Sequence, residues 1–320
     1  MNYLKYFNRL METLLKSKNL IFDIKSKIEN LDTSLFSHYV INNYEINANT
    51  TSVVMTASNR SKQTYFTLTS MLKSKIKNLQ IIIVDDSTND PININVLKNY
   101  PYYIDLIQVN RQNKIWFNPL VNYNLGFKFI KGSYVIIQNA EVCHLGDVLS
   151  NVHNKALDDY YCVFDVKPSK SYETNEEIYI NDISTVDIYD KEFLFGDIWY
   201  QSVNHNRNFH FLTAMNINTF DKVKCFSYDM TMGSCYDDDD FLLKIISKKI
   251  LVLNLFNTEY KCGGIHMFHG YASHNWDYAA EFNETFFKHK KRIYNDEGIY
   301  IDVTENGIDC FDNIYNRLLE

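Results

Sequence analysis

The sequence predicts an α/β fold: a mostly parallel, doubly wound sheet flanked by helices and preceded by a helical extension. Three observations predict it. From Thr51 onward, short β-branched apolar runs alternate with segments of helical periodicity. Those runs stop abruptly at polar clusters, as buried parallel strands do at the ligand-bearing edge of an open sheet. Before Thr51 the apolar residues from Tyr3 to Leu31 recur at helical spacing.

Taken in order, residues 1–50 carry Tyr3, Leu4, Phe7, Leu10, Met11, Leu14 and Leu15 at helical spacing, continued by Ile21, Ile24, Ile28 and Leu31. Residues 34–50, rich in Asn and Ser, read as a linker. Such a stripe more often docks on its own domain than on a partner. A homodimer through paired N-terminal helices is the alternative, the repeat being too short for a coiled coil. Residues 51–57 form the first strand, broken by Ser58-Asn59-Arg60-Ser61. A helix follows over 61–78, with Tyr65, Leu68, Leu72 and Ile76 on one face and lysines near its end, where cations suit the helix dipole. Residues 80–84 and 103–109 are the next strands, the first running straight into Asp85-Asp86. A helix over 119–131 has Pro at its first turn and Gly126 inside it. It leads to the bare apolar run Tyr134–Ile137, a central strand that ends at Asn139 and Glu141. Two apart, these residues share one side of an extended segment and offer an amide oxygen and a carboxylate to a hard cation.

The second half is less regular. Residues 160–166 and 250–256 read as strands, 168–190 as a polar insertion, 193–220 as an aromatic-rich stretch, and 241–246 as the opening of a helix. Gly263-Gly264 precedes His266 and His269. Asp237-Asp238-Asp239-Asp240 exceeds what capping a helix requires, because crowded carboxylates repel.

Composition narrows the function. A hydrophobic fraction of 46% and a charged fraction of 22% are those of a globular protein. The net charge of -7 argues against non-specific nucleic-acid binding. The six cysteines are scattered without a Cys-x-x-Cys pair, which excludes a zinc framework and fits buried thiols in a reducing compartment. With no signal-like core and no apolar run long enough to span a bilayer, the expected location is cytoplasmic.

Together, Val53–Arg60, Ile82–Ser87, Asn118-Pro119 with Asn124-x-Gly126, Gly132–Glu141, Phe211–Phe220 and Gly233–Phe241 resemble, in order and spacing, family 2 glycosyltransferases of the GT-A fold. The resemblance covers roughly residues 50–270. It implies a nucleotide-sugar half over 51–147 and an acceptor half over 148–270, with 1–50 as an extension and 271–320 as a helical or irregular tail. It further implies that Thr56, Ala57, Asn59, Arg60, Asp85, Asp86, Asn118, Asn124 and Asn139 bind the nucleotide sugar. Asp86 would meet the base or ribose, and Arg60 a phosphate. The family's Asp-x-Asp is here Asn139-Ala-Glu141, which shifts metal binding onto Glu141. His266 is the better match for the third ligand and His269 the second. Residues three apart do not share one face of a strand, so one of the two is expected to bind. Asp238, with Asp237 next, matches the family's general base, while Asp239 and Asp240 would cap the helix. Trp199, Tyr200 and His205 are candidates to line the acceptor site.

The implied function is inverting transfer of a sugar from a nucleoside diphosphate, UDP-linked by expectation, to a glycan or other hydroxyl acceptor, assisted by Mn2+ or Mg2+. A non-catalytic relative that binds nucleotide or glycan is the alternative, favoured by Asn139. A nucleotidyltransferase lacks its Gly-rich basic loop here, and a dehydrogenase its Gly-x-Gly-x-x-Gly.

Overall fold

A computed structural model describes residues 18–180, 210–255, 262–270 and 276–306. Its main sheet has eight strands: β1 (Phe36–Ile41), β2 (Thr51–Ala57), β3 (Leu79–Asp85), β4 (Tyr103–Val109), β5 (Tyr134–Asn139), β7 (Tyr160–Phe164), β9 (Leu212–Asn216) and β10 (Leu251–Leu255). Their order is β1-β4-β3-β2-β5-β9-β7-β10. The β4-β3-β2-β5 block is parallel, β9 runs antiparallel between β5 and β7, and β10 returns parallel to β7. A smaller sheet joins β6 (Val142–Leu145), β11 (Gly263–His266) and β8 (Val166–Pro168).

The bare apolar runs are explained by burial on both faces. Val54, Ile82, Val84 and Ile107 point into one core layer, whereas Val53, Met55, Ile81, Ile83 and Leu106 point into the other. Fully burying each such side chain contributes about 1.5–3 kcal/mol. The helix Leu120–Phe127 lies against the first layer, and Gly126 allows the contact: a Cβ there would sit 2.8 Å from Val54 Cγ1.

One expectation for the chain ends changes. The segment read as a linker contains β1, which pairs antiparallel with β4 from Phe36↔Val109 to Ile41↔Ile104. Its Asn- and Ser-rich flanks mask a strand that is buried only at its ends, Phe36 and Ile41, and whose register a polar ladder helps to hold. Ser52 donates to Gln80 (2.6 Å), Gln80 donates to Asp105 (2.6 Å), and Asp105 shares a hydrogen bond with His38 of β1 (2.8 Å). Residues 18–29 are helical, and Ile21, Ile24 and Ile28 enter the same core layer as Val54. At these positions the stripe docks on its own domain. Residues 1–17 lie outside the described part.

The tail is equally integrated. The helix Trp276–Glu297 brings Lys290 to Asp229 (3.1 Å) and Asp240 (2.7 Å) in the interior. Lys244, also buried, pairs with Asp302 (3.2 Å). Among the described residues, no helix is long and apolar enough to cross a membrane.

Candidate active site

The carboxyl ends of β2, β3 and β5 meet side by side, Thr56 lying in register with both Val84 and Asn139. Asp86 closes the β2 end by donating its N–H to Ala57 O at 2.8 Å. Asn59, in left-handed backbone at φ 55°, gathers the opposite loop: its side-chain oxygen accepts from the N–H groups of Thr88 (2.9 Å), Asn89 (2.8 Å) and Asp90 (3.1 Å). In return, Asp90 accepts from the N–H (2.9 Å) and hydroxyl (2.7 Å) of Ser61, the first residue of the helix Ser61–Met71. The two loops brace each other and fix Arg60 between them.

Arg60 points at Glu141, donating from Nη1 to Oε1 at 2.5 Å, with Nη2 3.3 Å from His269 Nδ1. The sequence placed Arg60 against a phosphate; in this structure its partner is the carboxylate. His266 Nε2 and His269 Nε2 lie 3.3 and 3.5 Å from the same Glu141 oxygen. Both histidines therefore approach the same carboxylate, although residues three apart on a strand would face opposite ways. β11 ends at His266, and the chain then leaves strand geometry, so alternation no longer sends His269 to the other face. Phe268 N–H is drawn aside by Ser169 Oγ (2.7 Å) and Asn175 Oδ1 (2.9 Å), which turns the segment back.

Glu141, His266 and His269 bring one ligand atom each within 4.8 Å of one another. Glu141 Oε2 is buried and has no hydrogen-bond partner. A buried carboxylate oxygen without a donor is costly, and an N2O donor set suits a divalent transition ion. The residues fit a metal. Burial alone would raise the Glu141 pKa, but Arg60 and the two imidazoles outweigh it and hold the carboxyl well below its usual range. Burial, then Arg60, lowers the His269 pKa, in the direction of the neutral form that a ligand requires.

Other predicted contacts turn out to be engaged within the protein. Asp86 is flanked by Arg111 (2.6 Å) and Lys114 and accepts from Asn122 (3.3 Å). Asp85 caps the next loop, accepting from the N–H groups of Ser87 (3.1 Å) and Ile92 (2.8 Å). Both amide atoms of Asn124 bond the backbone of Phe226, at 2.9 and 3.0 Å. Asn139 accepts from the Tyr123 hydroxyl at 3.0 Å.

The acidic run opens the helix Asp237–Ser247 behind two left-handed residues, Cys235 (φ 58°) and Tyr236 (φ 61°). Gly233 lets this turn approach the C-terminal helix, since a Cβ there would fall 2.2 Å from Asn283 Oδ1. Asp237 is held by Asn118 Nδ2 at 3.4 Å, and burial, then the charge of Asp238, pushes its pKa up to about 6. Asp238 forms an ion pair with His210 Nδ1. Asp240 was expected to cap the helix, but its carboxylate pairs with Lys290 (2.7 Å) and accepts from Tyr300 (2.8 Å). Trp199, Tyr200 and His205 lie outside the described residues.

Sequence reasoning missed Arg111, Lys114, Asn122, Tyr123 and His210. The two cations follow β4 as Asp86 follows β3, so their place at the strand ends was a usable signal. His210 carried none.

The sequence profile described as Glycosyl transferase family 2 matches residues 52–241. Among solved structures, the chain is similar to residues 1–349 of S. aureus TarS, with a TM-score of 0.51 at 13% identity, covering 84% of this chain and 70% of that one. For the same protein in complex with UDP-GlcNAc the TM-score is 0.52 at 13% identity, covering 84% and 71%. For the longer S. aureus TarS structure it is 0.50 at 12% identity, covering 84% of this chain and 43% of that one. At these identities the likeness concerns the fold, a GT-A-type sheet flanked by helices. No curated protein matches the sequence.

Proposed function

The chain belongs to glycosyl transferase family 2, and from that premise we propose that it is an inverting transferase moving a hexosyl or N-acetylhexosaminyl group from a UDP-linked donor to an acceptor hydroxyl. The observation that carries this reading is the convergence of Glu141, His266 and His269 at the carboxyl ends of β5 and β11. Tyr123 links the acidic pair to this end of β5: its hydroxyl donates to Asn139 at 3.0 Å, and its ring meets His210, the partner of Asp238, at 5.1 Å.

In this reading the nucleoside sits over the ends of β2 and β3, among Thr56, Ala57, Asn59 and the Asp86–Arg111–Lys114 cluster. A divalent cation held by Glu141, His266 and His269 would supply Lewis-acid neutralisation of the diphosphate leaving group. Arg60, already beside Glu141, adds a positive charge that can turn to a phosphate oxygen. Asp238 takes the proton of the acceptor hydroxyl as its oxygen attacks the anomeric carbon. The bond to the diphosphate breaks with its electron pair on the departing nucleotide, and a single displacement inverts the centre. Asn118 fixes Asp237 beside the base. Trp199, Tyr200 and His205 remain candidates for the acceptor side.

Asn139 in place of a carboxylate, with Arg60 seated on Glu141, favours a second reading: a nucleotide- or glycan-binding relative without turnover. Thermal shift with UDP-, GDP- and dTDP-linked sugars, each with and without Mn2+, followed by product analysis, separates the two. Metal-dependent stabilisation by one donor together with inverted product is expected. Stabilisation without product would shift the protein to the second reading, and no stabilisation by any donor would remove the nucleotide-sugar site itself.

A further inference from the structure

We propose that His210 is a positioning residue for Asp238, its imidazole holding that carboxylate ionised and in one rotamer. The inference rests on Asp238 being the base.

Geometry carries it. His210 Nδ1 pairs with Asp238 Oδ1, and the backbone N–H of His210 donates to the same oxygen at 3.2 Å. That oxygen therefore lies against both the ring and the backbone N–H of one residue, which holds this end of the carboxylate in place. The imidazole cannot swing away, because its ring meets Tyr123 edge-on at 5.1 Å and Phe226 at 4.9 Å. The His210 side chain is 7% exposed, whereas the Asp238 side chain retains 21%. The buried partner thus grips one end of a carboxylate that an acceptor can still reach.

Electrostatics adds direction. Among the described residues, the titratable groups facing the pair are Asp237 on the same helix, Tyr123 from Leu120–Phe127 and Tyr161 from β7. Burial alone would make His210 less basic, but Asp238, with Asp237 behind it, raises it above the ordinary imidazole value. Two adjacent carboxylates in a buried site do not both ionise readily. The imidazolium decides which one does, and its contact is with Asp238.

Two measurements test this on the full chain. An NMR titration of labelled imidazoles, with His210 assigned by its loss in His210→Gln, should show His210 titrating above the ordinary value, and below it in Asp238→Asn. The acid limb of kcat/KM in His210→Gln should move up by about one pH unit, so that activity at pH values on that limb falls about tenfold more than activity on the plateau near pH 8.5. A histidine that only packs would lower activity equally at all pH values and leave the limb in place, which would overturn the proposal. So would His210 titrating at or below the ordinary value in the wild type, a result that does not depend on the variant folding. Full transfer by Asp238→Asn would instead sink the base assignment, and His210's role with it, while the titration would still report whether the ion pair exists.

Discussion

Exchanging Glu141 for Gln alters one atom, yet it removes the carboxylate from the Glu141–His266–His269 cluster. Metal-dependent stabilisation by nucleotide should vanish and transfer should fall by more than about 100-fold; calorimetry and product assay check both. Asp237 gives a pH prediction with a definite sign. Its folded value is pushed up to about 6 from the ordinary 3.8. The folded state therefore holds the proton more tightly, and this contribution is complete below the ordinary range and lost as pH rises through about 6. Asp237→Asn should raise Tm by a few degrees near pH 8 and leave it unchanged near pH 4, as scanning calorimetry would show. At this scale the sequence was only partly legible. Glu141 stood out because an apolar strand ends just before it. Asn124 and Asp85 did not betray that they bond backbone, since a side chain that caps a loop and one that meets a ligand are spelled alike. His210 was invisible because its partner lies 28 residues away and only the fold brings them together.

Among the elements, the strands of the parallel block were the most legible, since burial on both faces leaves an unbroken apolar run with a clear end. Helix bounds were less so: the helix expected over 61–78 ends at Met71, and Ser74 instead donates its hydroxyl to Asp147 at 2.5 Å. β1 escaped because a strand whose four middle residues are all exposed has no such run. The pairing of helix and sheet at Gly126 predicts its own test. Gly126→Ala places a methyl 2.8 Å from Val54 Cγ1, deep between two rigid elements. It should destabilise by about 1–3 kcal/mol in urea unfolding, with the slope of the transition unchanged.

Across the whole molecule, the segments that flank the matched region share its interior. Lys290→Ala would leave Asp229 and Asp240 without their buried cation. A loss of about 3–5 kcal/mol is expected, seen as a single earlier unfolding transition; an unchanged midpoint would mean that the C-terminal helix does not brace the acidic helix. Ile24→Ala should cost about 2–5 kcal/mol on the same grounds, because Ile24 is wholly buried in the layer beneath the sheet. The N-terminal stripe was legible as docking on its own domain, whereas the C-terminal flank was not, since its anchors are single side chains that read as surface charge. The seat of β1 on β4 also sets a timetable for synthesis. His38 and its partner Asp105 are separated by 67 residues of chain. At roughly 5–20 residues per second, about 3–13 s pass between their emergence from the ribosome. Throughout that interval the first strand, bearing the outward-facing Tyr39 and Val40, waits beside the tunnel exit with its hydrogen-bonding edge unmet.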